Sequence, residues 1–253
     1  MFYARIESAA EFKKLLEVLK ETTPFINLNI SSQGFSIEAS ESLFIVQAHV
    51  KIHRTYFSEF KVQGTHTLGI HIPDLITILK IGQPDDHLIL EYESNSNVIK
   101  VGLHASKTPT VCEFTLNLMQ VDSLEGLYRE TLETGKFFMS SKVLHSTFYD
   151  LSLISEYLSI NLNKMRVKFA VHADAAGGSV HLKHVRGEGG VAVSTARTVN
   201  VGINLIYAKK ITRAHVLCER VEVRVKENEP IVFIYNFEGV EVKFFLALTI
   251  SNS

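Results

Sequence analysis

The sequence carries one pattern of strands and helices twice, and this internal duplication limits the possible folds more than any other feature. The segment Gly69–Ile72 (GIHI) returns as Gly202–Leu205 (GINL), with positions 69 and 202 lying 133 apart. At the same offset Lys80 falls on Arg213, and a strand-like apolar run matches another: Leu88, Leu90 and Tyr92 fall on Val221, Val223 and Val225. Packing preserves the apolar period of a repeated element better than it preserves residue identities. Because the apolar periods match at one fixed offset, we expect two copies of one domain.

Residues 119–134 separate the two copies. This stretch is acidic and has no clean helical or strand period. It also carries Val121, Leu124, Leu127 and Tyr128, which a fully solvated linker would not need. We therefore predict an N-terminal domain over residues 1–118, a connecting linker over 119–134, and a C-terminal domain over 135–253.

Each copy alternates strands with two amphipathic helices. The spacing of Phe12, Leu15, Leu16 and Leu19 predicts a first helix over residues 8–22, with Ser8 as its cap. The other helices are predicted from Pro73 to Lys80, from Lys142 to Ser152 and from Leu205 to Ala214. Strands are predicted between the helices, among them 43–52, 98–104 and 111–118, with hairpins over 25–39 and 158–172. The pattern predicts an α+β fold in which antiparallel sheets carry two helices per domain on one face.

Composition excludes several classes of protein. Hydrophobic residues make up 46% of the chain and charged residues 21%, which is typical of a globular protein. The sequence has no run of eighteen apolar residues, and its N-terminus does not resemble a secretory signal. Two cysteines, Cys112 and Cys218, do not support a disulfide scaffold. Because the net charge is −1, any contact with DNA requires cations concentrated on one face.

The sequence contains no residue pattern that indicates an active site. None of the eleven histidines forms a pair with convincing metal-ligand spacing. The glycine-rich stretch 186–190 lacks the lysine and hydroxyl residues of a phosphate loop, and no serine lies in a nucleophile elbow. We therefore predict no catalytic residue, no metal and no cofactor.

The cations are more informative, because eight of them fall on the four predicted helices. They are Lys13, Lys14, Lys20, Lys80, Lys142, Lys209, Lys210 and Arg213. Only a few acidic residues lie between these cations, among them Glu11, Glu17, Asp74 and Asp150. Lysines decorate the solvent face of any amphipathic helix, but four such helices in a duplicated frame favour contact with phosphates without base reading.

A series of short motifs then carries a resemblance along essentially the full chain. They are Met1-Phe2, Ala4–Ile6, Lys13-Lys14, Ile45–Gln47, Ile78–Lys80, Leu118-Met119 with Asp122, Asp150–Ser152, Val167–Phe169 and Phe244–Ala247. In this order and spacing the chain resembles the DNA sliding clamps of the proliferating cell nuclear antigen family. The resemblance implies a homotrimeric ring of six similar domains, with sheets outside and helices lining a hole around duplex DNA. It implies a non-enzymatic polymerase processivity factor in DNA replication and repair, nuclear unless the source is archaeal or viral.

The resemblance also implies three sets of site residues. A pocket for short hydrophobic partner peptides maps to Leu43, Ile45, Leu124, Leu127, Tyr128, Pro230, Phe245, Ala247, Leu248 and Ile250. The trimer interface maps to the edge strands that contain Val111, Phe114, Leu116, Ser179 and His181. Lys164 occupies the position at which the family is conjugated to ubiquitin-like modifiers. The implied partners are duplex DNA, DNA polymerases, nucleases and ligases, and a clamp-loader ATPase, with no membrane contact.

The chain departs from the family pattern at several positions. Four positions that line the hole and are usually basic in the family are uncharged here: Thr77, Ser146, Tyr149 and Ile206. Four nearby residues are expected to compensate for the missing charges: Lys142, His145, Lys209 and Lys210. Arg166 replaces the usual glycine of the second hairpin, and Leu248 replaces a proline. Two alternatives stay open: a subunit of a heterotrimeric clamp of the checkpoint or archaeal type, and a hydrolase on a duplicated β-rich scaffold.

Overall fold

The computed structural model describes residues 1–122, 128–129, 134–185 and 190–249. The chain divides into two compact units. The first contains Met1–Ser40, Ala48–Glu125 and Phe237–Val242, and the second contains Glu41–Gln47, Gly126–Asn236 and Lys243–Ser253. Hydrogen bonds hold the short segments: the His53 amide donates to Gly239 O in the first unit, and the Ala247 amide donates to Ile45 O in the second. The predicted domain limits at residues 118 and 135 stay a prediction.

The first copy of the pattern contains nine strands and two helices. In chain order they are β1 (Phe2–Ile6), α1 (Ala9–Lys20), β2 (Phe25–Ser31), β3 (Gly34–Ser40), β4 (Val46–His53), β5 (Glu59–Val62), β6 (His66–His71), α2 (Ile72–Leu79), β7 (His87–Tyr92), β8 (Val98–His104) and β9 (Val111–Asn117). Five strands pair in the order β5-β1-β7-β8-β9, and the other four follow one another in the order β4-β3-β2-β6.

The second copy repeats this inventory. Its elements are β10 (Gly135–Ser140), α3 (Ser141–Leu151), β11 (Tyr157–Asn163), β12 (Arg166–His172), β13 (Gly177–Lys183), β14 (Ala192–Thr195), β15 (Val199–Asn204), α4 (Leu205–Thr212), β16 (Arg220–Val225), β17 (Ile231–Phe237) and β18 (Val240–Leu246). Its strand orders are β14-β10-β16-β17-β18 and β13-β12-β11-β15. Both orders match the first copy strand for strand, so the predicted duplicated α+β fold is confirmed.

In each copy the two helices pack against each other and bury an apolar stripe. The buried helix residues include Phe12, Leu15, Leu16 and Leu19 of α1, Leu75 and Leu79 of α2, Leu144 and Phe148 of α3, and Ala208 and Ile211 of α4. In the second copy the Phe148 ring meets the Phe169 ring of β12 edge-on at 5.4 Å. Burial of such stripes from water supplies the main driving force for helix docking.

A close chain crossing explains why the two copies keep a glycine at the same place. The Met119 amide donates to Gly69 O at 3.0 Å, and the Thr249 amide donates to Gly202 O at 2.9 Å. A Cβ at position 69 would lie 2.0 Å from the Met119 carbonyl oxygen, so only glycine fits there. The Asn27 amide group adds hydrogen bonds to Val121 O and Asp122 O. These contacts fix the start of the linker on its own unit.

The structure corrects one predicted strand start. The predicted strand 43–52 begins only at Val46, because the preceding residues form a turn around Glu41. The Glu41 carboxylate accepts hydrogen bonds from the amides of Leu43, at 2.9 Å, and Ile45, at 2.5 Å. Phe44 takes a positive φ of 58° in this turn. A carboxylate that accepts local amides offers the backbone an alternative to the sheet ladder.

Other boundaries shift by a few residues. Helix α1 ends at Lys20, and Arg213–Val216 form a 3₁₀ turn after α4 in place of continued α-helix. The prediction named neither β1 nor β5. In the second hairpin, the Asn163 side chain accepts from the amides of Met165 and Arg166, which replaces the usual glycine turn. Among the described residues, no helix is long and apolar enough to cross a membrane.

Candidate DNA-facing helices and partner-peptide surface

In the first unit, the predicted DNA-facing lysines lie off the buried stripe of their helices. Ser8 caps α1 by accepting from the Glu11 amide, and this start sets the rotation of the following residues. Lys14 and Lys20 are exposed and Lys13 is half-buried. Lys80 is the exposed residue that ends α2. None of these four lysines is ion-paired to a residue that the structure describes, so their charges are available to an external anion.

In the second unit, the cations lie on the first turn of α3 and the last turn of α4, which the contacts of His145 with Thr212 and His215 bring to the same end of the helix pair. Lys142 lies in the first turn of α3, and Lys209, Lys210 and Arg213 lie in or after the last turn of α4. Lys142, Lys210 and Arg213 are exposed. The Lys209 ammonium lies 5.9 Å from the centre of the Tyr149 ring, a cation–π distance that links α4 to α3. The predicted basic residues therefore lie on solvent-accessible helix surface in both units.

The four positions that depart from the family pattern are also exposed. Tyr149 is 54% exposed and Ile206 is 42% exposed, while Thr77 and Ser146 are exposed polar residues. These side chains place no charge on the helix surface. Whether the neighbouring Lys142, His145, Lys209 and Lys210 compensate for these four positions stays a prediction.

His145 does not simply replace a cation, because it stacks on a second histidine. The His145 and His215 rings lie 4.3 Å apart and only 15° from parallel. His145 Nδ1 lies 3.1 Å from the Thr212 hydroxyl, and His215 Nδ1 lies 3.1 Å from Thr212 O. Burial lowers the pKa of His145, and the neighbouring His215 and Arg213 lower it further. These neighbours thus favour the neutral form of His145.

This arrangement predicts acid sensitivity. The folded-state pKa of His145 lies below its unfolded value, so its stabilising contribution is present above the unfolded pKa and is lost as pH falls through the folded pKa. We expect the free energy of unfolding to fall less between pH 7.5 and pH 5 in His145→Gln than in the parent chain. Urea unfolding at several pH values measures this slope. The exposed His172→Gln variant is the control, and equal slopes for all three proteins would contradict the account.

The predicted partner-peptide residues that the structure describes lie in the second unit around Tyr128. The Tyr128 ring packs against the buried cluster of Val232, Ile234 and Phe245, with 6.3 Å between its centre and that of the Phe245 ring. Its amide donates to the buried Gln47 side chain at 2.7 Å. Its hydroxyl donates to Phe44 O at 3.3 Å. Tyr128 therefore anchors the described part of the linker on an apolar floor.

The other predicted pocket residues divide by exposure. Leu43 is 67% exposed, whereas Ile45, Pro230, Ala247 and Leu248 are half-buried and Phe245 is only 2% exposed. Phe245 thus forms the floor beneath Tyr128. Leu124, Leu127 and Ile250 lie outside the described residues. The sequence reasoning missed Phe44, which is 45% exposed, together with Val232 and Ile234.

The predicted trimer-interface strands are both edges of their sheets. Strand β9 ends the order β5-β1-β7-β8-β9, and β13 ends the order β13-β12-β11-β15. Exposure alternates along both strands, with Phe114 and Leu116 on the less exposed side of β9 and Ser179 and His181 on the exposed side of β13. An edge strand presents unpaired amides and carbonyls, so each can pair with another chain.

Two further features concern modification and metals. Lys164 is exposed in the turn between β11 and β12, where a conjugating enzyme could reach it. Among the described residues, no group of three or more histidine, cysteine or acidic side chains could hold a metal ion.

Comparison with known proteins covers nearly the whole chain. The family model for the N-terminal domain of proliferating cell nuclear antigen matches residues 1–125, and the model for its C-terminal domain matches residues 136–250. Proliferating cell nuclear antigen of Dictyostelium discoideum is 26% identical over 254 residues, with 98% of each chain covered. The Chaetomium thermophilum protein of that name is 25% identical over 252 residues (98% of this chain, 97% of the relative), and that of Saccharomyces cerevisiae is 24% identical over 251. The chain therefore belongs to the proliferating cell nuclear antigen family, the DNA sliding clamps.

Proposed function

We propose that this chain closes around duplex DNA as a homotrimer and holds replication and repair enzymes at the DNA. The observation that carries the proposal is the placement of lysines on the exposed helix surface of both copies, in a chain with a net charge of only −1. Such cations contact phosphates without reading bases, so the ring can move along the duplex. Retention then depends on the closed topology, and the individual contacts can be weak. Holding enzymes at the DNA in this way requires no catalytic residue.

The test is a comparison of two DNA forms of the same sequence. A closed ring can thread onto a linear duplex through its free ends, but it cannot enter a covalently closed circle unless another protein opens it. We expect the purified protein to bind the linear form and to leave the circle essentially unbound at moderate salt. Equal retention on both forms would mean ordinary electrostatic binding and would overturn the ring proposal.

The proposed partners are DNA polymerases, nucleases and ligases that dock through short peptides with aromatic and aliphatic anchors. The exposed Leu43 and Phe44 belong to the turn whose Phe44 carbonyl accepts the Tyr128 hydroxyl bond, and Val232 belongs to the apolar cluster beneath the Tyr128 ring. Such exposed apolar residues offer the contacts that aromatic and aliphatic anchors require. Tethering by a short peptide raises the effective concentration of an enzyme at the DNA without any new catalytic group. A clamp-loader ATPase is the proposed opener, and the proposed location is the nucleus.

Removing the Tyr128 ring is expected to weaken peptide binding. Tyr128→Ala loses the packing on Phe245 and frees the described linker residues, so the dissociation constant should rise by about tenfold or more. Tyr128→Phe keeps the ring and loses only the long hydrogen bond to Phe44 O. Titration calorimetry with a synthetic peptide that carries aromatic and aliphatic anchors gives the constants. Tyr157→Ala, at an exposed β11 position, is the control, and unchanged affinity in Tyr128→Ala would place the peptide elsewhere.

A further inference from the structure

Two clusters of opposite charge lie beside the two edge strands, and they suggest how copies of this chain recognise one another. The acidic cluster consists of Glu91, Glu93 and Glu113, beside edge strand β9. The basic cluster consists of Arg166, Lys168 and Lys183, beside edge strand β13. The inference drawn from them rests on the proposed homotrimer.

Two members of the acidic cluster, Glu91 and Glu113, line a depression of about 420 Å³ on the face of β7, β8 and β9, together with Lys100. Strand register sets Glu91 opposite Lys100 and sets Glu113 opposite Gly102, so all of them belong to one face. The Lys100 ammonium lies 2.9 Å from Glu93, which raises the pKa of Lys100, and Glu91 and Glu113 raise it further. Three carboxylates therefore share one ammonium, and the depression keeps an excess of negative charge.

The basic cluster lies on the exposed face of β12 and β13. Strand register sets Arg166 opposite Lys183 and sets Lys168 opposite His181. Arg166 lies 3.3 Å from His181 Nδ1, and the Ser179 hydroxyl lies 3.0 Å from His181 Nε2. Neither strand contains an acidic residue. None of the three cations is ion-paired to a described residue, so this face carries an uncompensated positive charge.

The pattern along the two edges indicates how they would meet. Both strands have seven residues, and full antiparallel overlap sets Phe114 opposite Val180. This alignment places the less exposed rows together: Cys112, Phe114 and Leu116 with Val180 and Leu182. On the opposite face it places Glu113 across from His181, next to the basic cluster. A slip by one residue would turn the apolar row of one strand toward the polar row of the other.

We propose that the acidic cluster of one subunit contacts the basic cluster of a neighbouring subunit, so that charge directs the head-to-tail pairing of β9 with β13. Pairing of β9 with β9, or of β13 with β13, would bring like charges together. Such repulsion excludes two-fold dimers that the edge strands would otherwise allow, and head-to-tail contacts are the kind that generate rings. Complementary charge also speeds encounter and makes assembly sensitive to salt.

Charge reversal tests this pairing. Glu113→Lys would face the basic cluster of the neighbouring subunit, and His181→Glu would face Glu113. Each variant therefore places like charges across the paired strands and should raise the concentration at which the trimer dissociates by about tenfold or more. The double variant restores opposite charges and should return this concentration to near the parent value. Glu38→Lys and Lys51→Glu, at exposed positions on β3 and β4, are controls that change the charge in the same directions by at least as much and should leave this concentration unchanged. Light scattering over a dilution series gives the values, and circular dichroism checks folding.

The outcomes separate this inference from the proposed function. If the parent chain is a trimer and neither reversal shifts its dissociation, or if the double variant is weaker than both single variants, charge does not direct the pairing and the ring proposal stands. If the reversals change DNA affinity while the trimer is unaffected, the basic cluster is a DNA surface and this inference is overturned. If the parent chain is monomeric under all conditions, the homotrimer fails and this inference fails with it.

Discussion

Reversing the charge of four exposed helix lysines is expected to abolish binding to a short linear duplex at moderate salt. The variant combines Lys20→Glu, Lys80→Glu, Lys142→Glu and Lys210→Glu, two from each copy. Each phosphate contact contributes about 0.9 to the slope of log affinity against log salt, so the slope should fall by about 0.9 for every reversed lysine of the ring that contacts a phosphate. The substituted carboxylates also repel the phosphates. Fluorescence anisotropy with a short labelled duplex at several salt concentrations gives this slope.

A matched control separates position from net charge. Lys51, Lys61, Lys107 and Lys164 are exposed lysines outside the helices, and reversing them changes the net charge by the same amount. We expect this control to keep most of the parent slope, because its lysines do not lie on the proposed DNA-facing surface. If both variants lose affinity equally, the binding reflects overall charge and the helix surface has no special role.

Gly69→Ala is expected to detach the start of the linker. The new Cβ would meet the Met119 carbonyl oxygen at 2.0 Å, and backbone cannot rotate away as a side chain can. The hydrogen bond from the Met119 amide to Gly69 O should be lost, and the free energy of unfolding should fall by about 1–3 kcal/mol. Urea unfolding measures the loss, and amide exchange at Met119 reports the detachment directly.

The duplicate glycine provides the comparison. A Cβ at Gly202 would meet the Thr249 hydroxyl at 2.6 Å, and that hydroxyl can rotate. We therefore expect Gly202→Ala to cost less stability than Gly69→Ala, although both positions belong to the same repeat. If Gly69→Ala leaves both stability and the exchange of the Met119 amide unchanged, the crossing does not hold the linker in solution.

The fold was predictable to the extent that it follows from periodicity. The 3.6-residue spacing of Phe12, Leu15 and Leu19 located α1 and placed its lysines on the opposite side. The repeated glycine at 69 and 202 indicated duplication, and the structure gives its physical reason in the two chain crossings. The predicted strand start at Leu43 was wrong, because the Glu41 carboxylate accepts hydrogen bonds from the amides of Leu43 and Ile45, which a strand would use to pair within the sheet.

The candidate sites were less predictable, since they combine residues that are distant in the sequence. The floor beneath Tyr128 comes from β17 and β18, and neither Val232 nor Ile234 differs in pattern from any other buried strand residue. His145 was expected to compensate for the positions on the helix surface that carry no positive charge. Its stacking on His215 depends on the 3₁₀ turn after α4, which the helical pattern did not predict.

The most direct test of the central claim is the solution mass of the unmodified chain. Light scattering at micromolar concentration and moderate salt distinguishes a ring from a single subunit without DNA or partners. A self-closing homotrimer has about three times the chain mass of 28.4 kDa, and this is the mass we expect. A mass of one chain at every concentration tested would contradict a self-closing homotrimer and would favour a subunit that closes a ring only with different chains.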